Sequence, residues 1–109
     1  MSGSSETCVG HVRRVTGLPH TSSWRRGAKV RDSGIASGVA VATFDPNGTY
    51  GNHTDGRSHA AIFIEQTDEG LGVLDAWVGR AAGERIIRFR GGAGQPVDDG
   101  DAYHVIETV

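Results

Sequence analysis

Two short, mostly apolar segments joined by a polar turn constrain the fold of this chain most. His59–Glu65 and Leu71–Trp77 are rich in apolar, β-branched and aromatic residues, and Gln66–Gly70 between them is typical of a turn. They predict an antiparallel hairpin whose side chains alternate between two faces. A slip of one residue in register would move every side chain to the other face, so this hairpin decides which residues can meet.

One histidine and one aspartate interrupt the apolar faces of this hairpin. We take Glu65 to face Leu71 across the turn. His59 then faces Trp77 and lies diagonally beside Asp75 on the same face. A slip of two residues would put His59 directly opposite Asp75, whereas a slip of one would separate them. Polar residues on two mostly apolar faces indicate a polar site at the edge of a core.

Other segments complete the predicted fold. Three further strands are predicted, at Gly38–Phe44, Glu84–Arg90 and Ala102–Glu107, with turns at Asp45–Gly48 and Gly79–Gly83. A helix precedes them. The order predicts an α+β fold, in which an N-terminal helix that carries the cysteine packs on a four- to five-stranded antiparallel sheet. At 109 residues the chain is expected to be a single domain, 1–109.

The helix is predicted within Ser4–Pro19 and should be about three turns long. Its N-cap is one of three residues, Ser4, Ser5 or Thr7. Gly17 can take the left-handed conformation that ends it. Cys8 then lies in the first turn and begins an apolar stripe with Val12 and Val15, which we expect to face inward.

Cys8 is the residue around which a function can be argued. It is the only cysteine, which excludes an intramolecular disulfide and a cysteine-based zinc cluster. A helix N-terminus favours the nucleophilic thiolate, and its free amides can stabilise an oxyanion. His59 can withdraw the thiol proton while Asp75 orients the imidazole, as nucleophilic catalysis by a thiol requires. The alternatives are an inert buried Cys8 and a competing base, His11, one turn along the helix.

Five further residues are candidates for binding a substrate. They are Trp24, Arg25, Arg26, His53 and Trp77. The stretch His20–Ser37 has no clear period and is expected to be an ordered surface excursion pinned by Trp24. Its arginines can hold a substrate carboxylate, although a solvated basic face is the alternative. His53 lies in a polar, glycine-rich loop of the kind that often lines sites, with an ordinary surface histidine as the alternative.

The composition of the chain limits which binding partners and which cellular locations are expected. A net charge of −2 gives no general attraction to nucleic acid or to anionic lipid, so neither a nucleic acid nor a membrane is an expected partner. No apolar run approaches the roughly 18 residues of a membrane-spanning helix, and the start MSGSSET is not typical of a signal peptide. Export by another route stays open. Because no histidine spacing typical of a metal site occurs, we predict no metal and no cofactor.

Several segments also resemble a known family. They are Cys8–Val15, TSSWRRG at Thr21–Gly27, GVAVATFD, GRSHAAIFI around His59, LDAWVG around Asp75 and GDAYHVIE near the end. These are similar to segments of the small bacterial BPSL0067-family proteins. That family in turn resembles the CHAP and NlpC/P60 group of papain-like cysteine amidases and peptidases, many of which cleave peptidoglycan peptides.

The resemblance implies a papain-like core and amide hydrolysis through a thioester, with Cys8, His59 and Asp75 as the catalytic residues. It implies a peptidoglycan peptide as substrate. It also suggests a protein made in the bacterial cytoplasm and exported as an antibacterial effector to the periplasm of a target cell. Such an effector implies a cognate immunity protein that covers the cleft.

Two other functions remain open at this point. Cys8, His59 and Asp75 can also catalyse deamidation or acyl transfer on a protein side chain, as some toxins with papain-like folds do. The chain can also be a non-enzymatic binding module in which Cys8 is structural. Slow thiol alkylation with an ordinary pH dependence would favour the binding module.

Overall fold

One helix precedes an antiparallel sheet. A computed structural model gives the positions of residues 7–77 and 80–109, apart from the side chains of Trp77 and Arg80. The helix is α1 (Cys8–Thr16). The strands in these ranges are β1 (Trp24–Lys29), β2 (Ala40–Thr43), β3 (Ala60–Gln66), β4 (Gly70–Trp77), β5 (Arg80–Arg88) and β6 (Tyr103–Thr108). Short 3-10 turns occupy Thr21–Ser23, Pro96–Asp98 and Gly100–Ala102.

The strands form a single sheet in the order β1-β6-β2-β3-β4-β5, and all five neighbouring pairs are antiparallel. The helix α1 packs on β3 and β4. The predicted α+β fold, with an N-terminal helix on an antiparallel sheet, is therefore confirmed. The sheet has six strands within the described ranges, however, and not four or five.

Both edges of the sheet were misjudged from the sequence. Strand β1 lies inside His20–Ser37, which was predicted as an ordered surface excursion and not as a strand, because the sequence WRRGAK shows no apolar alternation. An edge strand with mostly solvated side chains does not need that alternation. At the other edge, β5 already begins at Arg80, so the turn predicted at Gly79–Gly83 is wrong over 80–83. Small residues such as Ala81 and Ala82 can continue an exposed edge strand without an apolar signal.

The ends of α1 follow the predicted chemistry. Thr7 is the N-cap, because its Oγ1 accepts a hydrogen bond from the Gly10 N–H at 2.9 Å. The other two candidate caps, Ser4 and Ser5, lie outside the described residues. At the far end Gly17 has φ 75°, and its N–H donates to the Arg13 carbonyl at 2.8 Å. No helix within the described ranges is long and apolar enough to cross a membrane.

The apolar stripe of α1 is shorter than predicted. Val12 is buried and Cys8 is half-buried, but Val15 is 49% exposed, so its predicted burial is wrong. His11, which was not part of the predicted stripe, is buried instead, at 2% exposure. Burial is confined to the first half of the helix, and the last turn faces solvent together with Val15.

Apolar side chains pack on both faces of the sheet. One cluster joins α1 to the sheet and contains Val12, Trp24, Ala40, Ala42, Tyr50, Ala60, Ile62 and Ile106. The other contains Val30, Val41, Ala61, Phe63, Leu71, Val73, Ile87 and Tyr103. Strand β2 contributes to both, which explains why its sequence AVAT is fully buried and does not alternate.

A bulge in the β3–β4 hairpin decides where the polar residues lie. The observed pairs are Gln66 with Leu71, Glu65 with Gly72, Phe63 with Val73 and Ile62 with Leu74. Ile64 is thus an extra residue on β3 between the second and third pairs. The predicted pairing of Glu65 with Leu71 is wrong by one residue, yet the bulge restores the predicted register beyond it. That register places His59 and Asp75 on the same face.

Candidate active site

The hairpin brings His59 and Asp75 together. His59 Nε2 lies 2.7 Å from Asp75 Oδ2, and the two residues are only 5% and 0% exposed. The chain just before β3 is held by Thr43, whose Oγ1 accepts from the His59 N–H at 3.0 Å and donates to the Arg57 carbonyl at 2.9 Å. His59 is therefore fixed through both its backbone and its ring.

Cys8 completes the group from the helix. It is the first residue of α1, and its thiol lies close enough to the His59 imidazole for that ring to shift its pKa. Because Nε2 of His59 is bonded to Asp75, Nδ1 is the nitrogen left for the thiol. Sγ also lies 4.0 Å from the Tyr50 hydroxyl. The thiol, the imidazole and the carboxylate thus form one electrostatically coupled group.

The electrostatics of this group favour a charged thiol and a charged imidazole. Burial alone raises the pKa of Cys8, but the hydrogen bond and charge of His59 outweigh it, so the pKa is lowered. Burial alone lowers the pKa of His59, but Asp75 and Cys8 outweigh it, so that pKa is raised. Opposite shifts in two groups that touch are what a thiolate–imidazolium pair requires.

Arg85 is a member of the site that sequence reasoning missed. Its Nε donates to Asp75 Oδ2 at 2.7 Å, and its side chain is 25% exposed. Burial raises the pKa of the Asp75 carboxyl, but the hydrogen bonds from His59 and Arg85 outweigh it and hold that pKa below its usual range. Arg85 pairs with Val73 in the sheet. The sequence prediction placed Arg85 in a strand, Glu84–Arg90, but did not fix the register of that strand against β4.

Tyr50 is a second contact that the sequence did not reveal. It is 7% exposed, and its ring packs 5.1 Å from that of Trp24, centroid to centroid. Burial, followed by the charge of Cys8, raises the pKa of Tyr50 far above its usual value. The phenol therefore stays protonated and can donate to a thiolate. The 42 residues that separate it from Cys8 explain why no local pattern indicated the contact.

A cleft of about 320 Å³ opens beside His59. Its walls are His53, Thr54, Gly56, Ser58, His59, Arg85, Gln95, Val97 and Asp98. His53 is thus the one candidate substrate-binding residue, among those with described side chains, that lines this cleft. Its Nε2 lies 3.0 Å from both carboxylate oxygens of Asp45, and its Nδ1 lies 3.1 Å from Nη2 of Arg57.

The other candidates for substrate contact lie elsewhere. Trp24 is 0% exposed and its Nε1 donates to the Pro19 carbonyl at 3.0 Å, so it is a core residue and the prediction of substrate contact is wrong. Arg25 donates from Nη1 to the carbonyls of Ser22 and Trp24, at 2.9 and 2.8 Å, and so holds a turn. Arg26 is exposed on the edge strand β1. The Trp77 side chain lies outside the described residues.

The sequence analysis also considered His11 as a competing base and a metal site. His11 is buried, and its Nδ1 has no hydrogen-bond partner among the described residues. No group of three or more histidine, cysteine, aspartate or glutamate side chains suited to a metal ion occurs within 7–77 and 80–109.

A thiol at the start of a helix, beside a histidine and an acid on an antiparallel sheet, is the arrangement found in papain-like proteins. The chain belongs to the family described as domesticated amidase effector 2 (Dae2), because the model of that family matches residues 1–106. A solved structure, type 6 secretion amidase effector 2 (Tae2), superposes with a TM-score of 0.80 at 30% identity. The match covers 98% of this chain and 84% of that one.

Two relatives with assigned names are similar in sequence. The type VI secretion amidase effector 2 protein of Salmonella typhi is 34% identical over 87 residues, covering 79% of this chain and 64% of that protein. The domesticated amidase effector 2 of Ixodes scapularis is 34% identical over 105 residues, covering 94% of this chain and 66% of that protein. The chain therefore spans just under two thirds of the length of these two relatives.

Proposed function

We propose that this protein is a cysteine amidase or peptidase that hydrolyses amide bonds of bacterial cell-wall peptides, with residues 1–109 as a single NlpC/P60-like catalytic domain. The observation that carries the proposal is the position of the Cys8 thiol at the start of α1 beside His59, which is bonded in turn to the buried Asp75. The names of the relatives support an amide as the bond that is cut. The likeness to the BPSL0067, CHAP and NlpC/P60 proteins supports the same chemistry.

Acylation is the first half of the proposed reaction. His59 Nδ1 holds the proton of Cys8, and the thiolate sulfur attacks the carbonyl carbon of the amide. The carbonyl oxygen becomes an oxyanion, which backbone N–H groups at the start of α1, including that of Cys8, can stabilise. The C–N bond then breaks, and the imidazolium gives its proton to the leaving amine. The product is a thioester on Cys8.

Deacylation reverses the roles of the same groups. His59 takes a proton from a water molecule, whose oxygen attacks the thioester carbon. The C–S bond breaks, and the proton on His59 returns to the sulfur, so the free acid leaves and the enzyme is restored. Asp75 keeps the imidazole in one orientation throughout. The Tyr50 hydroxyl can donate to the thiolate before attack.

We extend the proposal to delivery. The protein is made in the bacterial cytoplasm and exported to act in the periplasm of a target cell, because one relative is named a type VI secretion amidase effector. The substrate is a peptidoglycan peptide. A cognate immunity protein in the producing cell would have to cover the cleft beside His59. Neither a nucleic acid nor a membrane is part of the proposal.

The experiment that tests the function is digestion of purified peptidoglycan, followed by mass spectrometry of the released peptides. We expect Cys8→Ala and Cys8→Ser to lower the rate by on the order of 10³-fold or more, because the nucleophile is removed. Circular dichroism and a thermal melt serve as the folding control. Undiminished cleavage by folded Cys8→Ala would contradict the proposal.

Two outcomes of the same series would point to the alternative functions. Release of ammonia from a protein glutamine, without cleavage of the cell wall, would indicate a side-chain deamidase. A Cys8 that iodoacetamide alkylates slowly, with the pH dependence of a free thiol, would indicate a binding module with a structural cysteine.

A further inference from the structure

Tyr103 contacts two different parts of the candidate active site. It is the first residue of β6 and is fully buried. Its ring lies perpendicular to the imidazole of His59, with the ring centroids 6.5 Å apart and the ring planes at 88°. Its hydroxyl donates a hydrogen bond to the Val97 carbonyl at 2.8 Å, and Val97 lines the cleft beside His59. One aromatic side chain therefore connects the imidazole with a wall of the cleft.

The order of the strands explains why Tyr103 lies beside His59. Strand β2 runs between β6 and β3. On one side Thr43 of β2 pairs with Tyr103, and on the other its backbone N–H donates to the His59 carbonyl at 3.0 Å. Residues opposite one another on neighbouring strands point to the same face of a sheet. The sheet therefore places the tyrosine ring against the imidazole.

The wall turn, as we call residues 95–98, contributes three of the residues that line the cleft. Its hydrogen bonds to the opposite wall are long, among them the bond of 3.3 Å from the Val97 N–H to the Gly56 carbonyl. The bond from Tyr103 is shorter, and it comes from a strand of the sheet. It therefore attaches the wall turn to the same framework that holds His59.

The Tyr103 hydroxyl is suited to this attachment. A carbonyl oxygen only accepts hydrogen bonds, so the phenol has to donate. Burial raises the pKa of Tyr103 well above its usual value, so the phenol is protonated at neutral pH. No rotatable bond separates the ring from the hydroxyl oxygen. The distance between the imidazole and the wall is thus set by a rigid group.

We propose that Tyr103 is a positioning residue that holds the wall turn at a fixed distance from His59, so that a peptide bound against this wall presents its amide to the imidazole. This inference rests on the proposed function, since it assigns the wall turn to the substrate of that reaction. Without the hydroxyl, substrate binding would first have to order the wall turn. That cost falls on binding and not on the chemical step.

The first test follows the wall turn itself and needs no substrate. Tyr103→Phe keeps the ring against His59 and removes only the hydroxyl. In native-state hydrogen exchange followed by NMR, we expect the amides of Val97 and Asp98 to exchange about tenfold faster than in the parent. The amide of His59, which is bonded to Thr43, should exchange as in the parent.

The second test is kinetic and uses a defined peptidoglycan peptide. In Tyr103→Phe the KM should rise about three- to tenfold, the factor that the net contribution of one hydrogen bond gives. The kcat should change by less than about twofold, because the chemical groups are untouched. Alkylation of Cys8 by iodoacetamide should keep the rate and pH dependence of the parent, because the ring still packs against His59.

Arg90→Met is the matched control for the loss of a donor to this turn. Arg90 is exposed, and its Nε donates to the Asp98 carbonyl at 3.0 Å, one residue along from the carbonyl that Tyr103 holds. Because water can replace an exposed donor, we expect the KM and the exchange rates to change by less than about twofold. Changes as large as those in Tyr103→Phe would overturn the particular role of Tyr103.

Two results for folded Tyr103→Phe would overturn the inference. One is an unchanged exchange rate in the wall turn or an unchanged KM. The other is a fall in kcat larger than the rise in KM, or an altered alkylation of Cys8, since the hydroxyl would then act on the imidazole itself. A parent protein that cuts no peptidoglycan would contradict the proposed function and the substrate role of the wall. Faster exchange in Tyr103→Phe would then still assign the restraint of the wall turn to Tyr103.

Discussion

Two histidine–aspartate pairs stand beside the same cleft, and they differ in burial and in what the second ring nitrogen contacts. In the first, His59 and Asp75 are almost completely buried and share one short contact of 2.7 Å. In the second, the side chains of His53 and Asp45 are 26% and 23% exposed, and Nε2 lies 3.0 Å from both carboxylate oxygens.

The two pairs differ most clearly in the partner of the second ring nitrogen of the histidine. The hydrogen bond of His59 to Asp75 leaves Nδ1 for the thiol of Cys8, whereas Nδ1 of His53 lies 3.1 Å from a guanidinium nitrogen of Arg57. Because guanidinium groups only donate hydrogen bonds, the lone pair of that nitrogen is already used. A histidine bonded to an aspartate is therefore not a catalytic signature in itself.

The largest expected difference between the two pairs is in the rate of hydrolysis. His59→Ala should lower kcat/KM on a defined peptidoglycan peptide by about 10²- to 10⁴-fold, the usual contribution of a general acid–base. His53→Ala should lower it by less than about tenfold, because His53 lines the cleft but has no nitrogen for the thiol. A loss in His53→Ala as large as in His59→Ala would remove the distinction between the pairs.

The next difference concerns stability, measured as the free energy of unfolding in urea. Asp75→Ala removes the buried carboxylate that is hydrogen-bonded to His59 and Arg85, so we expect a loss of about 3–5 kcal/mol. Asp45→Ala removes a partly exposed partner and should cost about 1 kcal/mol or less. Equal losses in the two variants would contradict the contrast in burial.

The pH dependence of that loss has a definite sign. Folding lowers the pKa of Asp75, so the carboxylate stabilises the fold above the usual carboxyl range. The difference between the parent and Asp75→Ala should shrink as the pH falls through the lowered pKa. A difference that grows on acidification would contradict the assignment of Asp75 as an ionised partner.

A smaller effect is expected at Thr43, whose hydroxyl joins the backbones of Arg57 and His59 and so connects the two pairs. Thr43→Val keeps the shape but removes the hydroxyl that accepts from the buried His59 N–H, at a cost of about 1–3 kcal/mol. Thr49→Val is the matched control, because the Thr49 hydroxyl bonds to the exposed Asn47 at 2.7 Å. A control as damaging as Thr43→Val would show that neither loss is specific to His59.

The parts of the fold with strong local signals were predicted from the sequence. Thr7 and Gly17 bound α1 through cap chemistry that depends only on neighbouring residues. The hairpin followed from two mostly apolar segments, His59–Glu65 and Leu71–Trp77, on either side of a polar turn. The strand β1 was missed because an edge strand of polar residues lacks such a signal.

The candidate site was likewise predicted only where neighbouring residues in the sequence determine the structure. The approach of His59 to Asp75 followed from the register of one hairpin, and the helix supplied Cys8 as a third member. Arg85 and Tyr50 were not predicted, since the contact of Arg85 depends on the register of β5 against β4 and that of Tyr50 on packing across 42 residues. Long-range packing, rather than local propensity, brings such residues together.

The bulge at Ile64 has a consequence for how this hairpin can change in evolution. It absorbs a one-residue offset between the strand pairing at the tip of the hairpin and the strand pairing beside the site. Loss of Ile64 would leave a regular ladder with Phe63 still opposite Val73, so the tip can shorten without moving the site. A one-residue insertion or deletion between His59 and Phe63 is not absorbed by this bulge. A single mutation of this kind would turn the His59 side chain away from Asp75.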